Sequence, residues 1–126
     1  YGKHTRDFTY IDDVVEGIAK VIDNPAIKNT MWDSNRPDPA TSKSPWKIYN
    51  IGNSKRINLT DYIKVIEKVL KKKAKVNGLP LQKGDVQDTY SSNNLLSEEL
   101  GYKPNTAIED GVTKFVHWFK DYYKYN

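Results

Sequence analysis

Apolar residues recur at helical spacing in three well-separated stretches of this chain, with short extended runs, irregular loops and one shorter helix between them. Val14, Val15, Ile18, Ala19 and Ile22 form the first stripe. Tyr62, Ile63, Ile66, Val69 and Leu70 form the second, and Ile108, Val112, Phe115, Val116 and Phe119 the third. His117, Trp118, Tyr122, Tyr123 and Tyr125 give the last helix an aromatic second face. The pattern predicts a mixed α/β chain of several helices with a few short strands. The length, 126 residues, suits one domain spanning positions 1–126.

Local punctuation sets expected boundaries. Asp7 to Ile11 reads as an extended piece with alternating Phe8 and Tyr10, and Asp12 and Asp13 supply a helix start. Asp23-Asn24-Pro25 stops that helix. Residues 25–46 are irregular, with an exposed loop expected over 33–45, where Pro37, Pro39 and Pro45 oppose a helix or central strand. Trp46 to Ile51 reads as a strand leaving into Gly52-Asn53. Thr60 is the expected cap of the second helix, and Ala74 to Val76 a short strand. Asn94 to Leu100 is a short helix closed by Gly101. Thr106-Ala107-Ile108-Glu109 fits a capping box, in which hydroxyl and carboxylate each satisfy a free backbone N–H.

Apolar residues make up 37 % of the chain, which is lean for a folding domain and implies that a partner supplies part of the cover. With no cysteine there is neither a disulfide nor a Cys-based zinc site, which suits a cytoplasmic setting. No run is long and apolar enough to predict a transmembrane helix, and no membrane partner is expected. The first residue is Tyr1, which reads as the start of a processed or truncated chain. Of the +4 net charge, much sits in Lys71-Lys72-Lys73, where the plain reading is a solvated helix end. A nucleic-acid partner is not expected, because the aromatics fall on helical stripes and not between basic residues.

The chain has no GxxGxxG turn for a dinucleotide, no P-loop and no metal-spaced histidine pair. It has no YxxxK: Tyr49, Tyr62 and Tyr102 are followed four positions on by Asn53, Ile66 and Thr106. No catalytic residue is therefore named. Arg6, ahead of the first extended piece, can offer a planar fork to phosphate, the plainer alternative being a salt bridge to Asp7, Asp12 or Asp13. Gln82 and Asp85 lie in the loop after Pro80, where the plainer alternative is turn chemistry.

Four segments, in order, carry a resemblance over nearly the whole chain. Arg6-Asp7-Phe8-Thr9-Tyr10-Ile11-Asp12-Asp13 resembles the RDFTYIDD segment of extended short-chain dehydrogenase/reductase enzymes, and Tyr49-Asn50-Ile51-Gly52 resembles their YNIG segment. Leu79-Pro80-Leu81-Gln82-Lys83-Gly84-Asp85-Val86 is similar to the LPxQPGDV loop of UDP-glucuronate 4-epimerases. Gly101-Tyr102-Lys103-Pro104 through Trp118-Phe119 resembles the closing helix.

The resemblance implies the C-terminal, UDP-sugar-binding portion of an NAD-dependent 4-epimerase. Alternatives are a stand-alone UDP-binding module, or a fragment of a 4,6-dehydratase or galactose epimerase. It implies that Arg6 contacts the nucleotide diphosphate, and that Gln82 and Asp85 contact nucleotide or diphosphate groups. Gln82 stands where many relatives carry Arg, which removes one cation, and Lys83 stands where the subfamily has Pro. NAD belongs to a Rossmann half expected to precede Tyr1, so no cofactor is expected on this chain. Without that half, Val14, Ile18, Ile48 or Ile51 should lie partly exposed in a monomer, or be covered in a homodimer or swapped assembly.

Overall fold

The computed structural model describes residues 2–125. Their elements run β1 (Thr5–Asp7), α1 (Ile11–Asp23), β2 (Arg56–Asn58), α2 (Leu59–Leu70), α3 (Asn94–Leu100) and α4 (Ile108–Tyr123). The expected mixture of helices with short strands is what the chain adopts. β1 and β2 pair antiparallel, with Thr5 opposite Asn58, Arg6 opposite Ile57 and Asp7 opposite Arg56. On its other edge β1 meets the 87–89 segment: Thr5 N–H donates to the Gln87 carbonyl at 3.3 Å, and Thr89 N–H to the Thr5 carbonyl at 3.2 Å.

Several expected boundaries move. The first strand is Thr5–Asp7 and not Asp7 to Ile11, because the Phe8 and Tyr10 rings turn inward beside the helices and leave the ladder. Phe8 stacks on Tyr62 of α2, centroids 4.1 Å apart. Trp46 to Ile51 is not a strand: it makes one isolated bridge, Thr41 with Lys47. Ala74 to Val76 forms no strand either, and lies exposed beyond α2. The caps also differ. α2 starts from Asn58 and not Thr60, because β2 runs straight into it. α4 starts from Ala107, with no side-chain cap bond in place of the capping box. Thr106 N–H is already committed, donating to Asp13 Oδ2 at 3.2 Å.

That last bond explains why Asp13, in the first turn of α1, is buried. A buried carboxylate needs donors, and it finds them in the backbone ahead of α4, so its charge joins two helices. Gly101, by contrast, closes α3 as expected, at φ +65° where a side chain would be strained.

Among the described residues the buried apolar side chains are few: Leu96 and Tyr102, both fully buried, with Val112 and Val116. Gly17 lets α1 settle on this core, since a Cβ there would stand 3.2 Å from the Tyr102 ring and 3.3 Å from Ile51. Outside it, apolar faces are left open. Ile18 is 46 % and Ile48 55 % exposed, while Val14 and Ile51 are half-buried, in line with the expectation for a chain lacking a neighbouring cover.

One junction holds these pieces in register. Asp7 Oδ1 accepts from Asn53 N–H at 3.1 Å, and its Oδ2 from Ser54 N–H and Ser91 N–H at 3.0 Å each. Beneath it, Asn93 Nδ2 donates to the Gly52 carbonyl at 3.0 Å, and Ser54 Oγ donates to Asn93 Oδ1 at 2.7 Å. Gly52 is packed so closely that a Cβ would lie 2.4 Å from Ser91 Cβ. Replacing Asp7 with Ala should cost at least about 2 kcal/mol, since charge-assisted bonds are lost and their donors stranded. Gly52→Ala should cost about 1–3 kcal/mol through overpacking. Both should lower the urea midpoint; an unchanged midpoint in either would refute the assignment of this junction as the register lock.

Candidate functional site

Arg6 and the loop after Pro80 come together as one unit. β1 lies against the 87–89 segment, and this places the Arg6 side chain along the loop backbone. Arg6 Nη1 donates to the Thr5 and Gln87 carbonyls, both at 2.9 Å. Its Nη2 donates to the Val86 carbonyl at 2.8 Å and pairs with Asp85 Oδ1 at 3.3 Å. The guanidinium is thus used as a fork that grips several acceptors at once. The local partners weighed from sequence are engaged elsewhere: Asp7 and Asp13 by backbone N–H groups, and Asp12 by Lys114 at 3.8 Å.

Gln82 sits in the same loop, exposed to solvent, and its carbonyl accepts from Asp85 N–H at 3.2 Å. Gly84 completes the turn at φ +89°, a conformation for which glycine is suited. The three sequence candidates therefore share one surface, with Arg6 and Asp85 in contact and Gln82 joined to Asp85 through the turn.

Asp88, Arg56 and Tyr90 were not foreseen. Asp88 Oδ1 accepts from both the Thr5 hydroxyl and Thr5 N–H. Its pKa falls below the usual aspartate value, chiefly through the Thr5 hydroxyl and, more weakly, through the Thr5 N–H and the Arg56 and Arg6 charges. Arg56 lies over the Tyr90 ring, 5.2 Å from its centroid. No local motif marks these residues; they meet because β1 has a neighbour on each edge.

Two other features are not acid–base or anion sites. Tyr49 donates to Glu99, which also takes Lys47 Nζ at 2.7 Å. Burial and the adjacent carboxylate push the Tyr49 phenol up to about 12, so it keeps its proton at neutral pH. A hollow of about 240 Å³ between residues 8–11, α2 and α4 is lined by Phe8, Tyr62, Ile108 and Phe115 among others, with no charged side chain. Among the described residues no cluster of His, Cys, Asp or Glu could hold a metal ion, and no helix is long and apolar enough to cross a membrane.

Because the folded Asp88 pKa is lowered, its stabilising contribution is present above the unfolded aspartate value and is lost as pH falls through the folded one. Asp88→Asn should therefore lie below the parent chain in urea midpoint at pH 7, with the gap closing below the usual aspartate range. A gap that persists unchanged at about pH 2, roughly two units below the ordinary aspartate value, would show that Asp88 acts by some other route.

The comparisons with known proteins cover this surface. The family model described as GDP-mannose 4,6 dehydratase matches residues 1–115. Protein CapI of Staphylococcus aureus is 44 % identical over 124 residues, which are 98 % of this chain and 37 % of that protein. A probable UDP-glucuronate 4-epimerase of Rhizobium meliloti is 35 % identical over 98 % of this chain and 36 % of its own length. The structure of UDP-glucuronic acid 4-epimerase from Bacillus cereus, in complex with UDP-glucuronic acid and NAD, superposes with a TM-score of 0.74 at 26 % identity. It covers 97 % of this chain and 34 % of that one. The chain thus spans about a third of the length of these relatives.

Proposed function

Because the chain belongs to the family described as GDP-mannose 4,6 dehydratase, we propose that it is the UDP-sugar-binding portion of an NAD-dependent UDP-sugar 4-epimerase of the UDP-glucuronate type. The observation that carries this reading is the Arg6 fork. It holds Asp85 and the Val86 and Gln87 carbonyls, and so joins the chain's first strand to the loop bearing Gln82. Of these, the resemblance gives Arg6 to the nucleotide diphosphate, and Gln82 and Asp85 to nucleotide or diphosphate groups. Arg6 is 27 % exposed at its side chain, and its four terminal N–H groups are held by protein acceptors, so a diphosphate would meet it through the remaining Nε–H or by taking the place of Asp85 on the fork. Asp85, half exposed, can accept from a ribose hydroxyl or keep the fork oriented.

NAD, which the proposed parent enzyme uses for hydride transfer, has no seat among these residues. A dinucleotide turn needs glycines between a strand and a helix so that backbone N–H groups reach the pyrophosphate. Here β1 leads to α1 through Phe8-Thr9-Tyr10, and β2 passes directly into α2. Turnover is accordingly assigned to the longer protein, and this chain's share is to bind and orient the nucleotide.

Titration calorimetry with UDP tests the reading. The chain should bind UDP, and Arg6→Ala should weaken binding by about ten- to a hundredfold, the range for a lost charge-assisted bond. Arg6 also supports the loop, so a second variant separates binding from folding. Gln82→Arg adds a cation at an exposed position and should tighten UDP binding several-fold, with a steeper salt dependence. Absence of binding at millimolar UDP, or a Gln82→Arg variant with unaltered affinity and salt slope, would overturn the proposed site.

A further inference from the structure

The far end of α2 carries a second concentration of charge that the nucleotide site does not use. Lys64, Lys68, Lys71, Lys72 and Lys73, with Glu67, line one open hollow of about 270 Å³. The helix end brings them together. Lys71 adopts the left-handed conformation at φ 53°, and Lys72 N–H turns back to the Glu67 carbonyl at 3.2 Å. The chain therefore folds back beside the last turns of α2, and the lysine run converges on Lys64 and Lys68 where a continuing helix would have carried it away. A left-handed cap is ordinarily glycine; here lysine occupies it at a conformational cost.

The charge is largely uncompensated. Lys64 pairs with Asp61 and Lys73 with Glu67, both at 2.8 Å. Glu67 is further occupied by Ala74 N–H. Lys68, Lys71, Lys72 and Lys75 have no carboxylate partner among the described residues. On either side of the lysine run in the sequence, Leu70 is 39 % and Val76 74 % exposed.

This patch does not act by steering a nucleotide to Arg6. The twelve residues of α2 separate the two ends, about 18 Å at the rise of an α-helix. That is more than about twice the screening length at physiological salt. A single-stranded nucleic acid fits poorly, since no aromatic side chain lies within residues 63–81 on which a base could stack, and duplex DNA, which lysines bind through its phosphates, is set against lipid in the test below. Lysines flanking exposed aliphatic residues match an anionic lipid surface, where headgroup charge and shallow apolar contact act together.

We propose that the C-terminal end of α2 is a peripheral docking surface for anionic lipid, held by Lys68, Lys71, Lys72 and Lys75 with Val76 as a shallow apolar contact. The sequence alone gave no reason to expect a membrane partner; the convergence of the lysines supplies it. Co-sedimentation of the chain with vesicles tests the proposal, using phosphatidylglycerol and phosphatidylcholine at roughly three to seven so that the surface carries a negative potential. The chain should pellet with these and not with pure phosphatidylcholine. Replacing Lys68 and Lys72 with Gln and Lys71 with Asn should lower the partition coefficient by about a hundredfold, given the known gain per basic residue near such a surface. Val76→Ser should weaken it several-fold with the salt dependence retained, an effect that a purely ionic contact would not show. The proposal is overturned if the chain stays in the supernatant at low salt, if the triple variant partitions like the parent with its circular dichroism unchanged, or if duplex DNA of equal charge binds more tightly than the vesicles.

Discussion

The carboxylate of Asp7 is the constraint on which the rest of the structure depends. It lies at the end of β1 and accepts three backbone N–H groups, from Asn53, Ser54 and Ser91. Two of these come from the turn that leads into β2, and the third from the segment that leads into α3. A single charged side chain thus satisfies donors from two chain segments far apart in sequence, at the point where β1 stops being a strand. Once the turn and the 91 segment are held there, Gly52 is pressed against Ser91, and Asn93 and Tyr102 close over the Gly52 carbonyl.

The same junction sets the position of the candidate site. β1 has β2 on one edge and the 87–89 segment on the other, so Arg6, one residue before Asp7, is aimed at the loop backbone. Asp7 and Arg6 divide the work by charge. The anion gathers N–H donors on one side of the strand, and the cation gathers carbonyls on the other. Neither interaction is a simple surface ion pair, which would be worth little in water. Asp7 satisfies backbone N–H groups that lie outside the short ladder, while Arg6 takes up the Val86 carbonyl and adds a second bond to the Thr5 and Gln87 carbonyls that the ladder already uses.

Helix positions were legible in the sequence because spacing and stop signals agree there. Asp23-Asn24-Pro25, Gly101 and the apolar stripes placed α1, α3 and α4 closely. Strands were not, for a physical reason. Trp46 to Ile51 alternates like a strand, but Lys47 and Tyr49 spend their polar ends on Glu99 of α3, and the backbone finds one bridge in place of a ladder. β2 was invisible because Arg56-Ile57-Asn58 is too short to show alternation. For the site, Arg6, Gln82 and Asp85 were named from the resemblance, and composition would have paired Arg6 with a nearer aspartate. Asp88 and Arg56 stayed hidden because their neighbours lie 83 and 34 residues away, and only the β1 edges bring them together.

The small core bears on what this chain does by itself. Leu96, Tyr102, Val112 and Val116 are buried, yet the α1 stripe is open at Ile11, Val15, Ile18 and Ile22, and α4 is open at Phe115, Trp118 and Tyr122. These residues are spaced as a helix spaces a packing face and not as scattered surface residues. Polar bonds cannot substitute for that missing cover, because their net contribution is only about 1 kcal/mol each. They can still fix geometry, and here they do: the Asp7, Asp13 and Arg6 networks specify how the segments meet while the apolar faces await burial. An arrangement that is well specified but thinly covered is what the proposed role requires. The proposed nucleotide contacts are positioned from within the chain, and the open helical faces are where the rest of a longer protein would supply its share of the stability.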